Sequence, residues 1–338
     1  MTIDTKPLLS VRNLRTSFFQ DEGTTKAVDG ASFDVSPGKT LGIVGESGCG
    51  KSVTAQSILR IVDRPGRIVE GEIVLTRADG SQTDLVKLEA NGREMRSIRG
   101  GDIGLVFQEP MSSFSPVHTI GAQLIEAILL HNAVSRKEAR QRGIEALRSV
   151  GIPKPERRID EYSFELSGGL RQRAMIAVAL SCDPRLLIAD EPTTALDVTT
   201  QAQILDLLRK LQQERGMAIM LITHNLGVVA QVADRVAVMY AGRIVEQGDV
   251  RTVFAAPLHP YTRALLRSIP RVEAVGRDPS HRLLSIPGQV PSPVALPPGC
   301  SYAPRCPLAD EVCRTAMPPL AEVIAGHDVR CHHWDAPA

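Results

Sequence analysis

The sequence predicts an α/β fold with a largely parallel sheet. Three observations point there. Strand-like and helix-like segments alternate from residue 8 to about residue 255. Three short apolar runs, at 41–45, 186–189 and 218–222, are bounded by turn or charged residues, as buried central strands are. A glycine-rich loop follows the first run directly and opens a helix-like segment at 52–59.

The remaining elements follow in order. Residues 8–19 and 31–35 read as strands of a first sheet, and 36–39 (Ser-Pro-Gly-Lys) as a turn. Helical spacing at 119–130 and 137–150 predicts a helical insert within the α/β core. Fourteen of the 23 prolines lie after Ala255. The tail is therefore expected to be irregular, with one helix near 261–268.

Composition excludes several classes. The chain has 338 residues, 43% of them hydrophobic, and a formal net charge of +1. That balance points to neither a nucleic acid nor an anionic surface as partner. No apolar run approaches the roughly 18 residues that span a bilayer, and residues 1–7 form no apolar signal core. The expected location is the cytosol, with any membrane role supplied by a partner.

Gly45-Glu-Ser-Gly-Cys-Gly-Lys51-Ser52 fits G-x-x-x-x-G-K-[ST] at every fixed position. Glycines let backbone N–H groups converge on phosphate oxygens, and the helix N-terminus adds partial positive charge there. The expected contacts of ATP are Gly45, Glu46, Ser47, Gly48, Cys49, Gly50, Lys51, Ser52 and Val53. Lys51 would neutralise the β- and γ-phosphates, and the Ser52 hydroxyl would reach Mg²⁺. Cys49 contributes its backbone N–H, with no role for the thiol. The run at 186–189 ends in Asp190 and Glu191. Burying two carboxylates is costly unless they meet a cation or polar substrate. Asp190 is placed to hold Mg²⁺ and Glu191 to polarise a water.

With these motifs the sequence resembles ABC ATPases over residues 8–255. Residues 166–173 (Leu-Ser-Gly-Gly-Leu-Arg-Gln-Arg) are similar to the family signature, with Leu170 where the family usually has Gln, and a helix is expected from 172 to 180. Gln108 resembles the Q-loop glutamine, a Mg²⁺ and water ligand. Ala195-Leu-Asp197 resembles the D-loop, and His224 the switch histidine that contacts the γ-phosphate. Phe18 or Phe19 stacks on adenine, with Phe19 carried as the candidate. The resemblance implies a P-loop ABC ATPase core with an antiparallel β subdomain, a helical insert at about 110–165 and a small irregular C-terminal extension. It also implies paired subunits, so that Ser167, Gly168, Gly169 and Asp197 act in trans on the partner's nucleotide.

Residues 27–33, 109–116, 190–201 and 259–266, with the tail around 286–288 and 299–306, resemble the ATPase subunits of oligopeptide, dipeptide and nickel importers. That implies domains at 1–255 and 256–338. It also implies a second ATPase subunit, two permease subunits, an extracytoplasmic solute-binding protein, and attachment to the cytoplasmic face of the inner membrane. Peptide is the expected solute; oligosaccharide and nickel remain alternatives. A soluble ABC ATPase of DNA repair or translation would carry a long coiled coil or two cassettes, and the gap from Gln108 to Ser167 leaves no room for the former. A metal-dependent regulator built around the tail would not account for the insert.

Four of the six cysteines crowd the tail with spacing C-x₅-C-x₆-C-x₁₇-C: Cys300, Cys306, Cys313 and Cys331. In a reducing compartment such a group reads as a metal centre. Structural zinc favours tighter pairs, so a [4Fe–4S] cluster is the first expectation. Zinc, with His332 or His333 as a further ligand, is the alternative.

Overall fold

The computed structural model describes residues 6–109, 113–194, 196–269 and 286–336. The strands, in chain order, are β1 (Leu9–Gln20), β2 (Gly23–Val35), β3 (Thr40–Val44), β4 (Gly66–Thr76), β5 (Gln82–Asp84), β6 (Ile103–Val106), β7 (Leu186–Asp190), β8 (Ala218–Thr223), β9 (Arg235–Tyr240), β10 (Arg243–Asp249), β11 (Ala321–Ile324) and β12 (His327–Val329). The chain forms two compact units. One holds residues 10–34, 41–73 and 223–338; the other holds 1–9, 35–40 and 74–222.

In the unit that carries the glycine-rich loop, β2, β1 and β4 lie side by side in that order. A second layer runs β11-β12-β10-β9-β3. β3 pairs with β9 in parallel, Leu41 opposite Arg235 and Val44 opposite Val238. β9 and β10 form an antiparallel hairpin. Every residue of β3 is buried, which is why that strand reads as a continuous apolar run rather than an alternating one. The expected tail helix is present at Pro260–Arg267, with proline at its first position. His259 caps it, its Nδ1 accepting from the Tyr261 N–H at 3.0 Å.

The tail carries more regular structure than its proline content predicts. β12 pairs antiparallel with β10, Glu246 opposite Val329, and β11 pairs with β12. A short helix, Glu311–Thr315, is capped by Asp310. Tyr240, Tyr261 and Tyr302 are fully or almost fully buried and pack together, with ring centroids 4.6–5.4 Å apart.

In the other unit, β8, β7 and β6 run parallel, with Leu186 opposite Ala218 and Ile103 opposite Leu186. The helical insert contains Ile120–His131 and Arg136–Ser149. Thr119 and Ser135 cap them by accepting from the N–H groups of Ala122 and Glu138. Their buried faces present Ile120, Leu124, Ile125 and Ile128 on the first helix, and Ala139, Ile144 and Leu147 on the second. Among the described residues, no helix is long and apolar enough to cross a membrane.

Candidate functional site

The glycine-rich loop joins β3 to the helix Lys51–Ile58, which starts one residue earlier than its sequence predicts. Gly45, Gly48 and Gly50 have φ of +158°, +79° and +104°. Two of them also have no room for a side chain. A Cβ on Gly45 would lie 2.1 Å from the Met239 carbonyl oxygen, and one on Gly50 would lie 2.2 Å from that of Ala27. The loop is thus fixed by backbone packing as well as by torsion. Lys51 is buried, and its Nζ donates to the carbonyls of Gly45 at 2.9 Å and Glu46 at 3.1 Å. Ser52 and Val53 are half-buried at the helix start, while Ser47 and Gly48 are exposed. Cys49 is buried, and burial pushes its thiol pKa up, consistent with a packing role.

Glu46 makes two contacts that no local pattern foretells. Its N–H donates to the Tyr261 hydroxyl at 3.0 Å. Its carboxylate takes a forked pair of bonds from Arg305, at 2.7 and 3.1 Å. In the same unit, Phe18 and Phe19 are distinguished by exposure. Phe18 packs on Gly66, where a Cβ would meet its ring at 2.6 Å. Phe19 is 39% exposed, with the Arg67 guanidinium 4.2 Å from its ring centroid. His224 is exposed immediately after β8 and ahead of the helix Leu226–Val232, which Asn225 caps.

In the other unit, β7 delivers Asp190 and Glu191 as buried residues at its C-terminal end. Glu191 sits in the left-handed region, φ +46°, a conformation that costs a non-glycine residue roughly 1–3 kcal/mol and gathers at functional positions. Its N–H donates to the Ile222 carbonyl at 2.8 Å. Its Oε2 accepts from Gln108 Nε2 at 3.1 Å and from the Thr194 hydroxyl at 2.8 Å. The sequence singles out Gln108 and Glu191. It does not single out Thr194, because a threonine two residues past Pro192 carries no signal of its own.

The signature helix runs Gly168–Ala179, four residues earlier than the expected start at 172. Ser167 explains the difference: its hydroxyl accepts from the Leu170 N–H and caps the helix, so Gly168 and Gly169 fall in the first turn despite their poor helix propensity. Their N–H groups lie at the positive end of the helix dipole. Asp197 caps Val198–Arg215 by accepting from the Thr200 N–H and hydroxyl. Those bonds hold its carboxyl pKa below the ordinary value. Residues 110–112 of the segment after Gln108, and Ala195 of the D-loop-like segment, lie outside the described residues.

The four tail cysteines share one lobe. The Cys300 N–H donates to the Cys313 carbonyl at 2.8 Å, and the Cys331 thiol feels Cys300, Cys306 and Cys313 electrostatically. Burial raises the pKa of all four, Cys331 to about 11. A single tetrahedral zinc needs sulfurs about 3.8 Å apart, given Zn–S bonds near 2.3 Å. Among the described residues, the group that lies within 4.8 Å is instead Asp310, Cys313 and His333.

Residues 28–194 match the family described as "ABC transporter", and residues 245–313 match "Oligopeptide/dipeptide transporter, C-terminal region". The chain is 52% identical to a putative peptide import ATP-binding protein of Brucella melitensis over 332 residues, covering 97% of this chain and 98% of that one. It is 49% identical to the oligopeptide transport ATP-binding protein AppD of Bacillus subtilis, covering 97% of each. Among solved structures, the post-hydrolysis dimer of the ATP-binding cassette MJ0796 bound to ADP and Pi is similar, with a TM-score of 0.63 and 27% identity over 72% of this chain and 99% of that one.

Proposed function

The chain belongs to the ATP-binding subunits of ABC transporters, in the oligopeptide/dipeptide branch, and on that premise we propose that it hydrolyses ATP to drive import of di- or oligopeptides through membrane permease subunits. The observation that carries this reading is the near full-length likeness to peptide import ATP-binding proteins, which includes the tail as well as the cassette. The test is reconstitution with two permeases and a solute-binding protein. Peptide should stimulate ATP hydrolysis and enter vesicles. Stimulation by an oligosaccharide or nickel instead would transfer the role to that solute.

The residue roles belong to the same proposal. The loop 45–53 binds the triphosphate, with Lys51 as its cation and Ser52, Gln108 and Asp190 around Mg²⁺. Glu191 polarises the attacking water, held by Gln108 and Thr194. His224 contacts the γ-phosphate, and Phe19 offers the open aromatic face for adenine. Ser167, Gly168, Gly169 and Asp197 serve the nucleotide of a second ATPase subunit, a paralogue of this one. Residues 1–255 form the cassette and 256–338 the extension, and the assembly sits on the cytoplasmic face of the inner membrane.

Cys300, Cys306, Cys313 and Cys331 would hold a [4Fe–4S] cluster, whose chemistry here would be structural, cross-linking the lobe. Anaerobic purification with elemental analysis and a visible spectrum tests this. Stoichiometric zinc without iron would point to Asp310, Cys313 and His333 instead, and a protein with neither metal would end the proposal.

A further inference from the structure

We propose that Arg305 is a positioning residue for ATP binding, acting through Glu46 of the phosphate loop. Arg305 lies in the tail, directly before Cys306, and its side chain is 3% exposed. Its Nε donates to the Pro287 carbonyl at 2.9 Å and its Nη2 to that of Ile286 at 3.3 Å. Nη1 reaches the Tyr240 hydroxyl at 3.3 Å. The guanidinium is therefore anchored by the extension on one side and presents its fork to the Glu46 carboxylate on the other. Glu46 raises the guanidinium pKa further, so the cation is permanent.

The arrangement answers an electrostatic problem within the loop. Glu46 is the second residue of a loop that must receive a polyanion, and Lys51 already donates to the Glu46 carbonyl. A bare carboxylate there would repel the incoming phosphates. Paired with Arg305 its charge is offset, and the Tyr261 hydroxyl fixes the adjacent N–H. Two tail segments that the sequence singles out without a role, 259–266 and 299–306, thus converge on one residue of the phosphate loop. ATP affinity then depends on the order of the extension.

This inference rests on the loop 45–53 being the ATP site, which nucleotide binding by the unaltered chain tests separately. The experiment measures ATP affinity by calorimetry, and KM and kcat for hydrolysis, on the full-length chain. Arg305→Met should weaken ATP binding about tenfold and raise KM in step, with kcat changed less than twofold. Arg305→Lys should recover part of the affinity, leaving a loss of about threefold, because an ammonium keeps the charge but not the fork. In the Glu46→Gln background, Arg305→Met should change affinity less than twofold, because no carboxylate is left unpaired. The tenfold defect should also shrink as ionic strength rises, since it comes from charge.

A loss of equal size with and without the Glu46 carboxylate would overturn the proposal and reduce Arg305 to a packing residue of the lobe. So would unchanged ATP affinity in Arg305→Met. If Arg305→Met does not fold, Arg305→Lys still decides: a loss of about threefold is expected with Glu46 present and none in the Glu46→Gln background, and equal losses in both would count against the coupling.

Discussion

Gln108 Nε2 donates to Glu191 Oε2 at 3.1 Å, joining residues 83 positions apart in the chain. Thr194 donates to the same oxygen. Two donors on one oxygen fix the direction in which the carboxylate points, which is what a base that must meet a water needs.

Glu191→Gln should bind ATP with affinity within about threefold of the original and lose turnover by two to three orders of magnitude, in the range expected for removing a general base. Phosphate release under steady state and nucleotide retained through gel filtration would check it. Turnover above a tenth of normal would rule out Glu191 as the base. Thr194→Val, which leaves the carboxylate but removes one donor, should slow turnover by about tenfold or less.

The glycines of the loop should respond unequally. Gly50→Ala combines φ +104° with a contact of 2.2 Å to backbone, so the loop must move, and ATP binding should be lost. Gly48→Ala meets nothing within 4 Å and bears only its torsion, φ +79°, at a cost of about 1 kcal/mol. Calorimetry should show Gly48→Ala binding ATP within about tenfold of normal. Equal loss in both would mean that torsion alone sets the loop. Lys51→Ala should abolish binding for a different reason, the missing cation.

Stability should fall in mild acid because of His259. Burial pushes its pKa down to about 4 from an ordinary 6.5. Between those values the unfolded chain takes up a proton that the folded chain refuses, so stability is full above pH 6.5 and is lost as pH falls toward 4. The upper bound is about 3 kcal/mol. His259→Asn keeps an acceptor for the Tyr261 N–H and does not titrate. Urea melts at about pH 7 and about pH 5 should show a smaller difference for this variant than for the original chain. An unchanged difference would assign the acid sensitivity elsewhere.

Glu246 should be the most sensitive single position in the tail's attachment. It is fully buried and accepts from the Leu258 N–H at 2.7 Å and the His259 N–H at 3.0 Å, and it meets His327 Nε2 at 2.8 Å. Glu246→Leu leaves those three groups without their partner and should cost about 3 kcal/mol or more. Chemical denaturation would read this directly, and a cost under about 1 kcal/mol would show that water or rearrangement replaces the carboxylate.

What the sequence makes legible is local. The loop 45–52, the Asp190-Glu191 strand end and the insert helices each declare themselves within a short stretch of chain, through glycine spacing, an apolar run or helical periodicity. The signature helix starts earlier than its sequence suggests because glycine's low propensity masks the cap at Ser167. The tail strands are hidden for another reason. β12 is three residues long in a proline-rich segment, and its partner across Val329 is Glu246, far back in the chain. The Arg305–Glu46 pair spans 259 positions. Neither has a periodicity or a motif, because each exists only once the chain has folded back.

The pairing of β12 with β10 has a consequence for any shortened chain. Cutting after Ala255 would remove β12 and strip one side of β10, leaving its N–H and C=O groups at Glu246 and Gln247 open along a bare edge. Such an edge is a template for another copy of itself. A cassette released from its tail by proteolysis would therefore be expected to self-associate along that edge.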